Sequence, residues 1–277
     1  MEVEIIVVPY DSGHRDRRMG RGPGRIITCG LIETLKRAGH TVTTHTLEAP
    51  GNFHTEISAA FQLNALIANA VKQALERNRF PIVLSGNCIC SLGVMAALTP
   101  QNPGVVWFDA HGDLNTPETT ISGFLDGMAL AALTGRCFRA LSGGIPDFQP
   151  IADSKILLVG ARDLDGAEMD LLRSSKVRWI PPQEIDAQVP SALTTLKEQT
   201  EKVHLHFDLD VLDPQYARAN QYSAPNGLTP QQLLQTVQDI RKRFEITSVC
   251  IAAYDPEFDP ESKIAEVASD LMLTLLA

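Results

Sequence analysis

The feature that most constrains this chain is a repeated unit, a short apolar run that ends in a cluster of polar and acidic residues. It occurs in "PIVLSGNC" (81–88), "GVVWFDAHGD" (104–113), "KILLVGARDLD" (155–165), "KVHLHFDLDVLDP" (202–214) and "ITSVCIAAYDP" (246–256). Between these runs lie segments with apolar residues at helical spacing, such as "EISAAFQLNALIANAVKQALERN" (56–78) and "TPQQLLQTVQDIRKRF" (229–244). The same reading predicts a first strand in "VEIIVVPY" (3–10), one helix over "GPGRIITCGLIETLKRAGH" (22–40) and a short β-branched strand in "TVTTHTL" (41–47). Alternation of this kind predicts βαβ units, hence an α/β fold with a mostly parallel sheet covered on both faces. No repeat, low-complexity stretch or linker divides the chain, so residues 1–277 are expected to form a single domain. In open α/β sheets ligands bind beyond the carboxyl ends of the strands. That is where the polar clusters fall.

Composition narrows the partners. A formal net charge of −9, with "RRMGR" (17–21) as the densest basic run, speaks against a nucleic-acid surface. No apolar run approaches the roughly 20 residues that cross a bilayer, and the N-terminus "MEVEIIVVPY" lacks the basic start of a signal peptide. Five scattered cysteines suggest no disulfide framework. A cytoplasmic protein acting on a small-molecule substrate, with neither nucleic acid nor membrane as partner, is the expectation.

Two motifs carry chemistry. "DAHGD" sets Asp109, His111 and Asp113 at alternate positions, and "DLD" does the same for Asp208 and Asp210. At a strand end, alternate side chains share a face. Four carboxylates and an imidazole brought together repel one another unless cations hold them, and such oxygen and nitrogen ligands suit Mn²⁺, Fe²⁺ or Zn²⁺. Two such ions activate a water at neutral pH. The bland alternative is that these acids cap helices and sit in solvated loops. Coincidence of both motifs at the ends of apolar strands argues against it.

With these motifs the chain resembles the ureohydrolase superfamily of arginase, agmatinase and formimidoylglutamase. The resemblance extends over nearly the whole chain. It rests on "WFDAHGDLN" (107–115) and "HFDLDVLDP" (206–214), supported by "GRGPGRI" (20–26) and by "VLSGNCICSLG" (83–93). It implies a three-layer αβα sandwich, an arginase-like fold, with a binuclear manganese site and a homo-oligomer, trimer or hexamer. By that resemblance Asp109 and Asp208 bridge the metals, His111 and Asp210 bind one, and Asp113 binds the other. The remaining family ligand is the histidine of a Gly-Gly-Asp-His-Ser segment. Here that place holds Cys88, with Asn87 beside it. A thiolate is softer than imidazole and favours Zn²⁺ or Fe²⁺ over Mn²⁺, so one or two ions are compatible with this set. A cysteine at that place also occurs in the branch that resembles the N-hydroxyarginine hydrolase of cycloserine biosynthesis.

Further positions follow from the same resemblance. "NTPETTISG" (115–123) is similar to the arginase segment that holds an amino acid's α-carboxylate, which nominates Asn115, Thr120 and Ser122. "GARDLDGAE" (160–168) is similar to the segment that binds the α-amino group, which nominates Asp165 and Glu168. All five residue types are also common in turns and caps. The family's proton-shuttle histidine falls in "SGFLDGMALA" (122–131), where this chain has Asp126. Asp126 and Asp113 are therefore the catalytic candidates. The glutamate that receives a guanidinium in the family corresponds to Ala253, with Asp255 two residues on. Losing that acid favours a less cationic group, such as an N-hydroxyguanidine, amidine, formimino group or amide. The expected function is hydrolysis of such a C–N bond on an amino-acid-like molecule by water activated on the metals. The alternative is a catalytically degenerate relative that only binds an amino-acid-like ligand. A third reading makes Cys88 a covalent nucleophile, which four neighbouring carboxylates disfavour. His204 and His206 read as satisfied core histidines, with His206 also placed to orient a metal carboxylate. His14, His40, His45 and His54 read as peripheral.

Overall fold

A computed structural model describes residues 1–49 and 55–277, leaving His54 outside the described residues. Eight strands form one sheet: β1 (Glu2–Val8), β2 (Thr41–Thr46), β3 (Phe80–Ser85), β4 (Gly104–Phe108), β5 (Ile156–Val159), β6 (Arg178–Ile180), β7 (Lys202–Asp208) and β8 (Glu245–Ala252). Their spatial order is β2-β1-β3-β8-β7-β4-β5-β6. Every pairing in it is parallel. The α/β expectation holds.

Because side chains alternate along a strand, each strand feeds two cores. Ile6, Val83, Trp107, Leu158 and Cys250 face the layer made by helices Glu56–Glu76 and Ser91–Leu98. Ile5, Leu84, Val106, Leu205 and Ile251 face the layer of helices Ile185–Lys197, Pro230–Arg241 and Lys263–Leu276. With both faces covered, the strands read as near-continuous apolar runs. Local signals fix the helix starts. Thr55 accepts a hydrogen bond from the amide of Ser58 at 3.1 Å, and Thr229 with Gln232 forms a capping box.

One expectation needs correction. The periodic segment 22–40 is two helices, Gly22–Thr28 and Leu31–Arg37. Gly30 sits between them at φ 98°, a left-handed conformation that ends the first helix although the apolar period runs on.

The sheet order sets the ends of β3, β8, β7, β4 and β5 side by side. All five polar clusters therefore open on one edge. The backbone there is tightly packed. A Cβ on Gly86 would lie 2.3 Å from the Tyr10 carbonyl oxygen, so only glycine lets the β3 turn pass beneath the segment after β1.

Candidate active site

The cleft at this edge has a volume of about 610 Å³, within the usual range for a small-molecule site. Its floor is carboxylate. Asp208, the last residue of β7, accepts from the Asp210 amide at 2.8 Å and from Cys88 Sγ at 3.2 Å. Asp210 lies in the short turn after it, where Oδ1 accepts from the Ala110 amide and Oδ2 from Asn220 Nδ2, both at 3.2 Å. Asp109 accepts from the His111 amide at 2.8 Å and from Trp107 Nε1 at 3.1 Å. His111 Nδ1 is 3.3 Å from Asp109 Oδ1 and 3.5 Å from Asp210 Oδ2. The side chains of Asp109, His111 and Asp210 each offer one ligand atom within 4.8 Å of the others, as do those of Cys88, Asp109 and His206.

The residues of "DAHGD" come together, but not by strand alternation. β4 ends at Phe108, and Asp113 is reached through a loop with φ 53° at its own backbone. Local hydrogen bonding tolerates that conformation in Asp better than in most residues. Asp113 Oδ2 is buried without a hydrogen-bond partner among the described residues.

Electrostatics show what the cluster lacks. Burial, then Asp109, Asp126, Glu168 and Asp210, push the Asp113 carboxyl well up. Burial, then Asp210 and Asp109, do the same to Asp208. Burial and Asp208 raise the Cys88 thiol well above its ordinary value, so without a cation it stays protonated. Burial opposes charge on His111, yet Asp210 and Asp109 outweigh it and carry the imidazole to about 10. With no cation bound, an imidazolium serves as the positive partner of these carboxylates, and a bound cation takes that place and leaves His111 neutral as a ligand. An unpaired buried carboxylate oxygen beside three more acids is a donor set that fits divalent cations.

Other candidates take the following places. Asp126 lines the cleft, accepting from Asn87 Nδ2 at 2.6 Å and from the Ile89 amide at 3.3 Å. Burial, partly offset by those two bonds, pushes it up to about 7. Asn115, Ser122, Asp165 and Glu168 all line the cleft. Asn115 donates to Asp165 at 2.8 Å, while Asp165 and Glu168 also form the capping box of helix Gly166–Ser174. Thr120 is not among the lining residues; its hydroxyl accepts from the Gly123 amide at 3.0 Å. Ala253 is on the wall, and Asp255 is turned away onto Arg21 at 2.9 Å. His204 and His206 are fully buried as expected, but the Nε2 of each has no partner among the described residues, so the satisfied-core reading fails for those nitrogens.

Several contributing residues escaped the sequence reading. Glu56, Asn220 and Tyr222 line the cleft from segments with no strand-end signature. Arg162 lies beneath it and donates to the carbonyls of Asp210, Val211 and Ala224 at 2.9, 3.2 and 2.7 Å. Its neighbour Asp165 is nominated by the family resemblance, whereas an arginine saturated by backbone carbonyls has no sequence signature.

Comparison with known proteins bears on the family and the fold. The arginase family model matches residues 1–277. The arginase of Bacillus caldovelox is 32% identical, with 99% of this chain and 97% of that protein aligned. The arginase of Brevibacillus brevis is 30% identical, with 98% and 96% aligned. The crystal structure of Bacillus cereus arginase superposes with a TM-score of 0.91 at 29% identity, covering 100% of this chain and 99% of the other. Among the described residues, no helix is long and apolar enough to cross a membrane. From motifs, fold and cleft alike, this chain belongs to the arginase family.

Proposed function

We propose that the chain is a metal-dependent hydrolase. It cleaves a C–N bond of a guanidino, N-hydroxyguanidino, amidino or formimino group on an amino-acid-like small molecule. The observation that carries this reading is the convergence of Asp109, Asp113, Asp208, Asp210 and His111 on one buried spot, with Asp113 Oδ2 unpaired. Mn²⁺, as one or two ions, is the family's choice, and Cys88 in place of a histidine makes Zn²⁺ or Fe²⁺ suitable. Bound there, such ions supply positive charge and a water acidic enough to attack at neutral pH. The chain's own residues do the rest. Asn115 and Ser122 present donors to a carboxylate, and Asp165 and Glu168 present acceptors to an amino group. Asp126, held by Asn87 and Ile89, gives a proton to the departing amine.

The test is a panel of guanidino, N-hydroxyguanidino, formimino and amide derivatives of amino acids, assayed with protein loaded with Mn²⁺, Zn²⁺ or Fe²⁺. Turnover of at least one class is expected. Silence across the whole panel with metal bound would sink the hydrolase reading. Asp126→Asn is expected to lower kcat by about 10²-fold, a usual share for one proton-transfer group. In the wild type kcat is expected to fall as pH rises through the loss of the Asp126 proton, which burial pushes up to about 7. That inflection should vanish in the variant, and a profile that keeps it assigns the proton to another group.

One observation favours a binding-only relative. Asp255 is engaged by Arg21, so the wall at Ala253 offers no acid of its own to a guanidinium. Tight binding of an amino acid without turnover of any panel member would support that second reading.

A further inference from the structure

The cleft does not account for His206. It lies on β7 two residues before Asp208, so strand alternation puts both side chains on one face. Its ring is fully buried and stacked on Trp107, with centroids 3.6 Å apart. Trp107 in turn donates to Asp109 at 3.1 Å. His206 Nδ1 is 2.7 Å from Ser91 Oγ, one helical turn after Cys88. Stacking and that bond together fix the ring. With Ser91 Oγ accepting from Nδ1–H, the lone pair of Nε2 is left free, and Nε2 has no partner among the described residues. A buried, oriented and unpaired imidazole nitrogen calls for a ligand.

Cys88, Asp109 and His206 each offer one ligand atom within 4.8 Å of the others. Ligands bound to one ion at about 2.0–2.3 Å stand roughly 3.3–3.8 Å apart in a tetrahedral set, so a closure of about 1 Å seats all three on one cation. We propose that His206 is itself a cation ligand, forming with Cys88 and Asp109 a nitrogen, sulfur and oxygen site beneath the carboxylate cluster. The proposal rests on the reading of the cleft as a cation centre and goes beyond it. It locates an imidazole for the Cys88 ion on β7 rather than on the turn after β3. On binding, Cys88 gives up its proton to solvent and coordinates as thiolate. Sulfur and imidazole together select Zn²⁺, Fe²⁺ or Co²⁺ over Mn²⁺ at this position.

His204 provides an internal control. It is equally buried, with Nδ1 2.7 Å from Ser248 Oγ and Nε2 also unpaired. It is not in either of the candidate ligand groups among the described residues.

The experiment titrates Co²⁺ into the full chain after chelator treatment and follows the sulfur-to-cobalt absorption in the near ultraviolet. Wild type should show the band, and Cys88→Ser should lack it. His206→Ser should raise the Kd read from the band by about 100-fold or more, while His204→Ser leaves it unchanged. His206→Gln, which retains bulk and polarity, guards against a folding defect and should show the same weakening. In zinc-loaded wild type, the His206 Nε2 signal in a long-range ¹H–¹⁵N spectrum should move to the position of a coordinated nitrogen. A band whose Kd is indifferent to both His206 variants, or an Nε2 signal unmoved by zinc, overturns the proposal. So does a wild type without the band. A band that depends on His206 in a protein that hydrolyses nothing upholds this site and defeats only the hydrolase reading.

Discussion

Asp208→Asn is expected to lower kcat/KM by at least about 10³-fold, roughly 4 kcal/mol of lost transition-state stabilisation, and at the same time to stabilise the cation-free protein. The two effects have one cause. Asp208 accepts from Cys88 Sγ and from the Asp210 amide, and asparagine can keep the backbone bond while removing the charge. With cations bound, that charge holds them. Without cations it is a liability, because burial and the neighbouring Asp210 and Asp109 push the carboxyl well above its ordinary range. The sign follows from linkage. A carboxyl whose native pKa is raised binds more protons in the folded than in the unfolded chain, so stability falls as pH rises from the unfolded value near 4 toward the native one. The cation-free wild type should therefore lose stability over that window, and Asp208→Asn should flatten the loss. At neutral pH a gain of about 1 kcal/mol, or about 2–4 °C in Tm, is expected. The stabilisation that Mn²⁺ or Zn²⁺ gives the wild type should shrink in the variant. Thermal melts at several pH values, with and without chelator, check all three. A cation-free variant that melts lower than wild type would show that Asp208 has a structural role outweighing its repulsion.

The motifs that identify this chemistry were legible because strand ends concentrate it. An apolar run followed by "DAHGD" or "DLDVLDP" marks both the sheet edge and its cargo. What the residues do was less legible than which residues matter. Asp113 reaches the cluster through a left-handed turn rather than by alternation. Asp255, two residues from the cleft wall, is taken by Arg21, the N-cap residue of helix Gly22–Thr28, far away in sequence. The break at Gly30 escaped because helical period and left-handed termination coexist there, and only backbone conformation separates them. His206 was hidden for a related reason. A histidine on an apolar strand looks the same whether its second nitrogen is satisfied or bare, and only the positions of Ser91, Trp107 and Cys88 decide.

Arg162 shows the same limit with a large energetic consequence. Its guanidinium donates to the carbonyls of Gly160, Asp210, Val211, Leu212, Ala224 and Pro225, at distances from 2.7 to 3.3 Å. These carbonyls belong to the end of β5 and to the segment that carries both Asp210 and Asn220. Asn220 in turn bridges Asp210 and the Ala253 carbonyl at 3.2 and 2.8 Å. One side chain thus clamps two walls of the cleft. Burial disfavours its charge, yet Asp210 and Asp109 keep the guanidinium compensated. Arg162→Ala strands several carbonyls and removes a cation from beneath four acids. A loss of about 2–3 kcal/mol is expected, below the penalty for a fully buried charged network because the guanidinium is only half-buried. Equilibrium urea unfolding measures it directly. Arg162→Lys should recover less than half, because three donors on a point charge cannot match a planar fork of five. In the folded fraction, kcat should fall with the loosening of Asp210. Added cation should then restore stability more than it does in wild type, since it replaces the missing positive charge. An alanine variant within about 1 kcal/mol of wild type would mean that the 209–228 segment is held by its own packing, and that Asp210 owes its position to Ala110 and Asn220 alone.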